Sequence, residues 1–421
     1  MRTLIIIAFV LLLNPRWVDA QENERPVQEL GFTVFLQVVL LNNLDLISGQ
    51  FEVSASEAAL KAARVFQDPE LEMIFPMFNH DDFDGFPSNI AFEMEVPVEL
   101  FGKRRNRIRE ARAEMFAAQA TLEDFLRELR SEAAIAYIDV LTFQLKLERM
   151  NLELEQLNQL IEINQALFEA GEIGEIQVLQ TRLEARNFNA ELFDERADFS
   201  ELLSEIFFLM GGIPADSLVF TGEMNLQVPL MSFDDLRRQA LENRPDLRAA
   251  MHEQDAAEFA MRLARAERLP DISVIAGYHN EEALRPIPGI RAAYAGLIIP
   301  LQFSGFNKGA FLESMNRFEQ AKVAYQAKTL SIDTELRSAW ENHRLLSGKR
   351  MLFTESILQD AERVRDAVVF SYQRGELSLL EVLEAQRTLN EIYMNYYETL
   401  NQHSQAVIRL SQSSGVWFVG L

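Results

Sequence analysis

Between residues 122 and 168 the apolar positions fall on one stripe. Alternate steps of four and three from Leu122 reach Leu126, Leu129, Ala133, Ala136, Val140, Phe143, Leu147, Met150, Leu154, Leu157, Ile161, Asn164 and Phe168, and only Asn164 is polar. That spacing is the seam of a coiled coil. No proline interrupts it: residues 98–213 contain none, and neither do residues 301–421. A proline in a helix interior costs about 3 kcal/mol, so windows this long predict long helices. Glycines at 102, 171 and 211 in the first window, and at 305, 375 and 415 in the second, mark helix starts and breaks. A helix over about 104–169 would be roughly 100 Å long.

A second periodicity precedes each window. Residues 69–78 and 89–99 alternate, with Leu71, Met73, Phe75, Met77, Ile90, Phe92, Met94, Val96 and Val98 on one face and Glu70, Glu72, Glu93, Glu95 and Glu99 on the other. Strands of about 9–11 residues suit a tilted bilayer crossing, and the same pattern suits a hairpin half-buried on a soluble core. Residues 271–279 and 290–301 form a second, less clean hairpin. Four strands cannot close a barrel, and lipid does not tolerate an open sheet edge. If these strands cross a membrane, several copies share one barrel, and three copies supply twelve strands.

The chain is internally repeated. Gly102 and Gly305 are 203 apart, whereas Gly171 and Gly375, like Gly211 and Gly415, are 204 apart. Val96-Pro97-Val98 matches Ile299-Pro300-Leu301, and Asn43-Leu44-Asp45-Leu46 resembles Arg244-Pro245-Asp246-Leu247 at an offset of 201. A tandem duplication of about 200 residues follows, with repeats over 21–215 and 216–421 joined near 212–231. Each repeat reads helix, two strands, long helix, helix; the first has helices over about 36–66, 104–169 and 175–210. In the second long helix, about 307–373, His343 and Arg350 fall in the seam, so its packing must differ.

Composition narrows the chemistry. With 40 Lys+Arg against 64 Asp+Glu, the formal charge of −24 excludes nucleic acid as a partner. The absence of cysteine removes disulfides, thiolate metal sites, Cys nucleophiles and lipidation through an N-terminal Cys. The five histidines, at 80, 252, 279, 343 and 403, do not pair at short spacing. Arg2, the apolar run Leu4–Leu13 and Val18-Asp19-Ala20 predict a signal peptide over residues 1–20, whose loss leaves a charge of −25. Ten apolar residues fall short of the roughly 20 that span a bilayer.

Enzyme motifs are absent from the sequence: no phosphate loop, nucleotide fingerprint or nucleophile elbow occurs, and His252-Glu253-Gln254-Asp255 lacks the second His of a zincin. His80-Asp81-Asp82 with Asp84, and His279 with Glu281 and Glu282, carry metal-compatible donors but have the composition of solvated loops. The expectation is no catalysis, no cofactor and no resident metal. Lys103-Arg104-Arg105 and Arg107 open the long helix at the end its dipole disfavours, which points to anionic lipid head groups or to solvation at a membrane boundary.

Taken together, the duplication, the passages VPVELFGKRRNRIREA (96–111) and IPLQFSGFNKGA (299–310), and the hairpin passages FEAGEIGEIQVLQ (168–180) and YQRGELSLLEVLEAQ (372–386) resemble the TolC family of outer-membrane channel-tunnels. These are exit ducts of bacterial efflux pumps and type I secretion systems. The FGKRR passage and short C-terminus are most similar to the outer-membrane components of heavy-metal (cobalt–zinc–cadmium type) resistance pumps.

The resemblance implies a mainly α fold with a small membrane β part. A homotrimer would form a 12-stranded β-barrel in the outer membrane of a Gram-negative-type bacterium, continued by a 12-helix α-barrel into the periplasm. Its partners would be outer-membrane lipid, a periplasmic adaptor (membrane fusion) protein and an inner-membrane pump. It implies adaptor contacts at the hairpin tips, here Gly171, Glu172, Gly174, Gly375, Glu376 and Leu377. A periplasmic aperture would be ringed by Glu381 and Glu384, three apart on one helix face, with Tyr372 helping to hold it shut. An arginine expected five residues after that tyrosine is Leu377, and the expected acidic partner falls at Gln177. Lumen-facing acids would be Glu70, Glu72, Glu93 and Glu95, and the strand-to-helix junctions Pro97, Gly102, Pro300 and Gly305. The expected function is a passive exit duct for cations (metal ions) or small drugs. An exported coiled-coil structural or interaction protein, or the duct of a type I protein secretion system, are the alternatives.

Overall fold

The computed structural model describes residues 28–75, 89–214, 218–222, 224, 226, 228–281, 289–301 and 306–419. The expected signal peptide, His80, Asp81, Asp82, Asp84, Glu282 and Gly305 lie outside the described residues. The first half runs β1 (Gln28–Gly31), α1 (Phe32–Asn42), α2 (Leu44–Ala63), β2 (Glu70–Ile74), β3 (Asn89–Val98), α3 (Lys103–Glu169) and α4 (Glu175–Leu209). The second runs β4 (Leu218–Thr221), α5 (Phe233–Asn243), α6 (Pro245–Ala266), β5 (Ile272–Glu281), β6 (Ile290–Ile298) and α7 (Lys308–Leu352). A π turn at Phe353–Ile357, α8 (Leu358–Gln373) and α9 (Leu379–Ser414) complete it.

Three features differ from the periodicity. The opening helix expected over about 36–66 is two helices bent by 49° at Asn43, because Asn43 takes an extended backbone and its side chain accepts the Leu46 N–H at 2.9 Å. Arg244 stands at the same point between α5 and α6 with nearly the same backbone angles, φ −65 and ψ 124 against −62 and 121. The second long helix is broken by the π turn. The parallel pair β1–β4 was not legible, since four-residue strands show no usable alternation.

The four long strands form one antiparallel sheet in the order β2-β3-β5-β6. Next to the sheet, α2, α3, α6 and α7 lie side by side; further on, α4, α3, α9 and α7–α8 do so. The chain is therefore a wall four elements wide. Its interior and its edges are told apart by burial: α3 buries 22 residues, whereas α7 buries only Ile332 and Leu336. At mid-height the wall is thickened by the β1–β4 pair, packed on Phe35, Tyr137, Ile138 and Ile206. The Tyr137 hydroxyl lies 2.7 Å from Leu30 O and 2.6 Å from Thr221 O and so ties both short strands to α3. Among the described residues no single helix is long and apolar enough to cross a membrane.

Most of the basic run at the start of α3 serves neighbouring helix ends rather than lipid or solvent. Lys103 is buried, its Nζ 2.7 Å from Leu269 O just past α6 and 2.9 Å from Asp271. Arg104 donates to Arg64 O and stacks 3.9 Å over Phe66, while Arg107 pairs with Glu99 and donates to Ala63 O. These are the orphan carbonyls that end α2, where cations are favoured. The charges oppose the dipole of their own helix and complement that of the next.

Candidate functional site

Directly opposite residues of antiparallel strands share a face, so the register fixes what each side of the sheet presents. Glu70 faces Glu95, and Glu72 faces Glu93. Like charges set directly opposite repel, which a sheet tolerates only where water screens them. The row continues from Glu93 through Gly277 to Tyr294, whose hydroxyl crosses the glycine to donate a 2.6 Å hydrogen bond to Glu93. The other face carries Leu71 opposite Met94 and the row Met73, Phe92, Tyr278, with Leu71 58% and Met94 48% exposed. One side suits water and the other a nonpolar surround. Pro97 lies in β3 opposite Ser273, and Pro300 follows β6.

Where strand becomes helix, Phe101 and Gly102 adopt left-handed backbone with φ 57 and 77. The corresponding pair before α7 is Phe306 and Asn307, φ 51 and 53. Asn307 thus caps α7 in the position of Gly102, at an offset of 205; asparagine is among the few non-glycine residues that enter this conformation readily.

The two helical hairpins turn by the same device. Gly171 and Gly375 adopt φ 77 and 74, with Glu172 N–H donating to Leu167 O at 2.9 Å and Glu376 N–H to Ser371 O at 3.0 Å. Both are Schellman turns, which need the left-handed residue. The next helices are capped alike: the Gly174 N–H donates 2.7 Å to the Gln177 side chain, and Ser378 N–H donates 2.7 Å to Glu381. Gln177 and Glu381 are 204 residues apart and do the same work. The Ser378 hydroxyl also donates to Glu381 at 2.8 Å, and the backbone bond, then this one, hold the exposed Glu381 carboxyl below its ordinary range. Glu384, Glu172, Gly174 and Glu376 are exposed, and Leu377 is half-buried.

A buried polar chain joins the hairpins above their tips. Tyr372 donates 2.7 Å to Asn164 Oδ1, and Asn164 Nδ2 donates 2.8 Å to Thr181 Oγ1. Burial raises the Tyr372 phenol above its usual range, so the hydroxyl stays a donor. The partner of Tyr372 is thus Asn164 and not Gln177, which is occupied in capping its own helix. Around this chain pack Met150, Leu157, Leu160, Phe188, Val382 and Leu383. Arg387 Nε, on α9, adds a 2.6 Å bond to Glu184 of α4.

On the side of α3 away from Tyr137, a groove of about 950 Å³ is lined by Glu128, Glu132, Asp139, Glu201, Glu205 and Arg409. Burial raises the Asp139 carboxyl, against hydrogen bonds from Asn401 and Gln405. Among the described residues no group of three or more His, Asp or Glu side chains is arranged to hold a metal ion. Distant histidines do meet: His343 and His403 face each other across α7 and α9 with ring centroids 5.6 Å apart.

The family described as Outer membrane efflux protein matches residues 35–212 and 236–416. The cobalt-zinc-cadmium resistance protein CzcC of Cupriavidus metallidurans is 25% identical over 378 residues, 89% of this chain and 87% of that protein. The probable outer membrane lipoprotein SilC of Salmonella typhimurium is 21% identical over 372 residues, 83% of this chain and 78% of its own. Among solved structures, CusC superimposes with a TM-score of 0.75 at 19% identity over 92% of both chains. The open state of the Neisseria gonorrhoeae MtrE outer membrane channel does so at 0.71 and 16% identity, over 91% of this chain and 89% of that one.

Proposed function

The chain belongs to the outer membrane efflux protein family, and from that premise we propose that three copies close into one duct through which cations leave the periplasm. Members of this family are outer-membrane channels rather than enzymes, and they work with an adaptor and an inner-membrane pump. The observation that carries the trimer is the open wall. Neither β2 nor β6 has a second neighbour among the described residues, and the helices that continue these edges carry exposed apolar side chains: Leu44 and Phe51 on α2, Val323 and Leu330 on α7. Pairing β6 of one copy with β2 of the next is a head-to-tail contact that closes into a ring. Twelve strands then bound the barrel and twelve helices the cylinder below it.

In that ring the face bearing Glu70, Glu72, Glu93 and Glu95 lines the water-filled bore, and the Leu71–Met94 face meets lipid. The groove of Glu128, Glu132 and Glu205 continues the acidic lining down the helical part. Negative walls concentrate cations. With the name of the resistance protein CzcC, this favours metal ions as cargo, although cationic drugs share the same attraction. The tips around Gly171, Glu172, Gly174, Gly375, Glu376 and Leu377 engage the adaptor, and Glu381, Glu384 and Tyr372 bound the periplasmic aperture.

Native mass spectrometry of the mature protein, extracted in mild detergent from the outer-membrane fraction, tests the assembly. A trimer confined to that fraction is expected; a monomer or dimer released without detergent overturns the shared barrel. A strain lacking the chain is expected to become sensitive to Zn²⁺, Co²⁺ or Cd²⁺, and unchanged sensitivity to every metal removes metal cargo from the reading.

A further inference from the structure

The basic start of α3 is only partly used on neighbouring helix ends. Arg105, Arg109 and Arg112 are exposed, and steps of four and three put them on one stripe that continues to Phe116. Steps of seven from Arg109 reach Phe116, Glu123, Arg130 and Tyr137, so the stripe lies on the face of α3 that carries the β1–β4 pair. Contacts along it agree: Phe116 meets His252 at 5.4 Å between ring centroids, Glu123 pairs with Arg248, and Arg130 lies 5.4 Å over the Trp417 ring. The acids of this stretch take the other side, for Glu114 stands two sevens before Glu128 of the acidic groove. Arg107, on the far side of α3 from Arg105 and Arg109, pairs with Glu99, which continues the Glu93–Glu95 face of the sheet. Arg109 and Arg262 of α6 share the Phe259 ring at 5.6 and 5.4 Å, and Glu258 pairs with Arg262. Among the described residues Arg105, Arg109 and Arg112 form no ion pair, and neither does the exposed Arg265 at the sheet end of α6.

We propose that the Arg105–Arg109–Arg112 stripe, with Arg265 beside it, binds head groups of anionic phospholipids in the leaflet that borders the periplasm. This rests on reading the sheet as part of a membrane barrel. In that barrel the Glu face and the acidic groove line the bore, so the stripe points outward, below a nonpolar sheet face that ends on Val98 opposite Ile272. The junction itself exposes Phe66, Phe101 and Phe306, the kind of aromatic girdle that marks a barrel boundary. Side chains of α3 lean toward its N-terminus, which is the sheet end, and long arginines reach further still. From Arg105 to Arg112 the rise is about 10 Å, close to the depth of a head-group layer. Unpaired cations are a departure in a chain of charge −24, and these three stand within the first ten residues of α3, where the helix dipole opposes them. An external phosphate, which a guanidinium grips in a bidentate fork, offsets that cost. The duplication does not demand them: at the offset of 205 the stripe on α7 reads Ala310, Ser314 and Arg317, and Arg317 pairs with Glu313 at 2.7 Å. An acidic protein would meet the same charges, but continuity with the nonpolar face selects lipid.

The test places purified trimers in nanodiscs of equimolar phosphatidylethanolamine and phosphatidylglycerol, and native mass spectrometry counts the lipids each trimer keeps on release. Wild type is expected to enrich phosphatidylglycerol. The combined change Arg105→Gln, Arg109→Gln and Arg112→Gln should erase the enrichment without loss of trimer, since it breaks no ion pair of the fold. Lysine at all three positions should keep most of it, and the same loss of charge on α4, by Arg182→Gln, Arg186→Gln and Arg196→Gln, should leave it intact. If the triple glutamine variant yields no trimer, Arg112→Gln alone carries the test, with an expected fall in preference of about fivefold, the weight of one basic residue at an anionic surface. Enrichment equal to wild type in either glutamine variant overturns the proposal. So does loss of enrichment to inorganic phosphate at constant ionic strength, which would make the stripe a general anion site. Trimers that hold both lipids without preference overturn the stripe and leave the barrel standing. Trimers that keep neither lipid and stay in solution without detergent overturn the membrane reading itself.

Discussion

The Tyr372 hydroxyl meets Asn164 Oδ1 at 2.7 Å across 208 residues of sequence. It is a polar contact set inside an apolar cluster contributed by α3, α4, α8 and α9. Apolar side chains alone permit one hairpin to slide on the other with little loss, whereas a buried hydrogen bond is lost at once when its partners separate. Asn164 thereby turns a greasy seam into a fixed register.

Tyr372→Phe should loosen that register. It leaves Asn164 Oδ1 buried without a donor, at a cost of about 1–3 kcal/mol. Larger single-channel conductance and new sensitivity of cells to a bulky antibiotic normally excluded are the expected readouts. Wild-type conductance in the variant would mean that the contact fixes packing without restricting passage.

The two carboxylates proposed to bound the aperture should separate by role. Glu381 is engaged by Ser378 while Glu384 is exposed, so Glu384→Gln should lower cation-over-anion selectivity, read as a shift in reversal potential, with no change in helix content. Glu381→Ala should fray the first turn of α9, seen as faster amide exchange at residues 378–382. Because its hydrogen bonds hold the Glu381 carboxyl low, the cap is complete at neutral pH and is lost only as pH falls through that lowered value. An unchanged reversal potential in Glu384→Gln would remove it from the pore.

Gly277→Ala should disrupt the sheet. A Cβ there would lie 2.5 Å from the Tyr294 ring and 2.8 Å from Phe92 O, and only the first can move aside. The expectation is a poor yield of trimer resistant to dodecyl sulfate at room temperature, partly restored by Tyr294→Ala. Normal yield of the single variant would contradict the close passage of Tyr294 over the glycine.

Much of this was legible from the residues. The seam and the proline-free windows located the long helices, and the alternation of Glu70, Glu72, Glu93 and Glu95 placed four acids on one face. Asn164 stood out as the polar break in the seam, yet its partner could not be found, because the contact joins elements 208 residues apart. The basic run misled for a related reason: a helix dipole argument considers one helix, and Lys103, Arg104 and Arg107 answer to the ends of others. The left-handed cap of α7 is Asn307, a residue that the glycine spacing does not single out.

His343 and His403 marked the second long helix as different, and the structure explains how. Seven residues away along the same seam, Leu336 and Leu410 pack in one apolar cluster; at the histidine level two imidazoles take their place. His403 is 3% exposed and its Nδ1 has no partner. Burial, then Arg350 and His343, push it down to about 4, and burial and Arg350 lower His343 as well. Unfolded chains take up protons at an ordinary histidine near pH 6.5, and the folded protein resists until about pH 4. The seam therefore has its full stability above pH 6.5 and loses about 3 kcal/mol per protomer as pH falls between those limits. Leucine at this level would continue the Leu336–Leu410 packing without a group that titrates. His403→Leu should accordingly melt higher than wild type at pH 4.5 by more than it does at pH 7.5. An equal gap at the two pH values would show that protonation of His403 is not coupled to the α7–α9 seam.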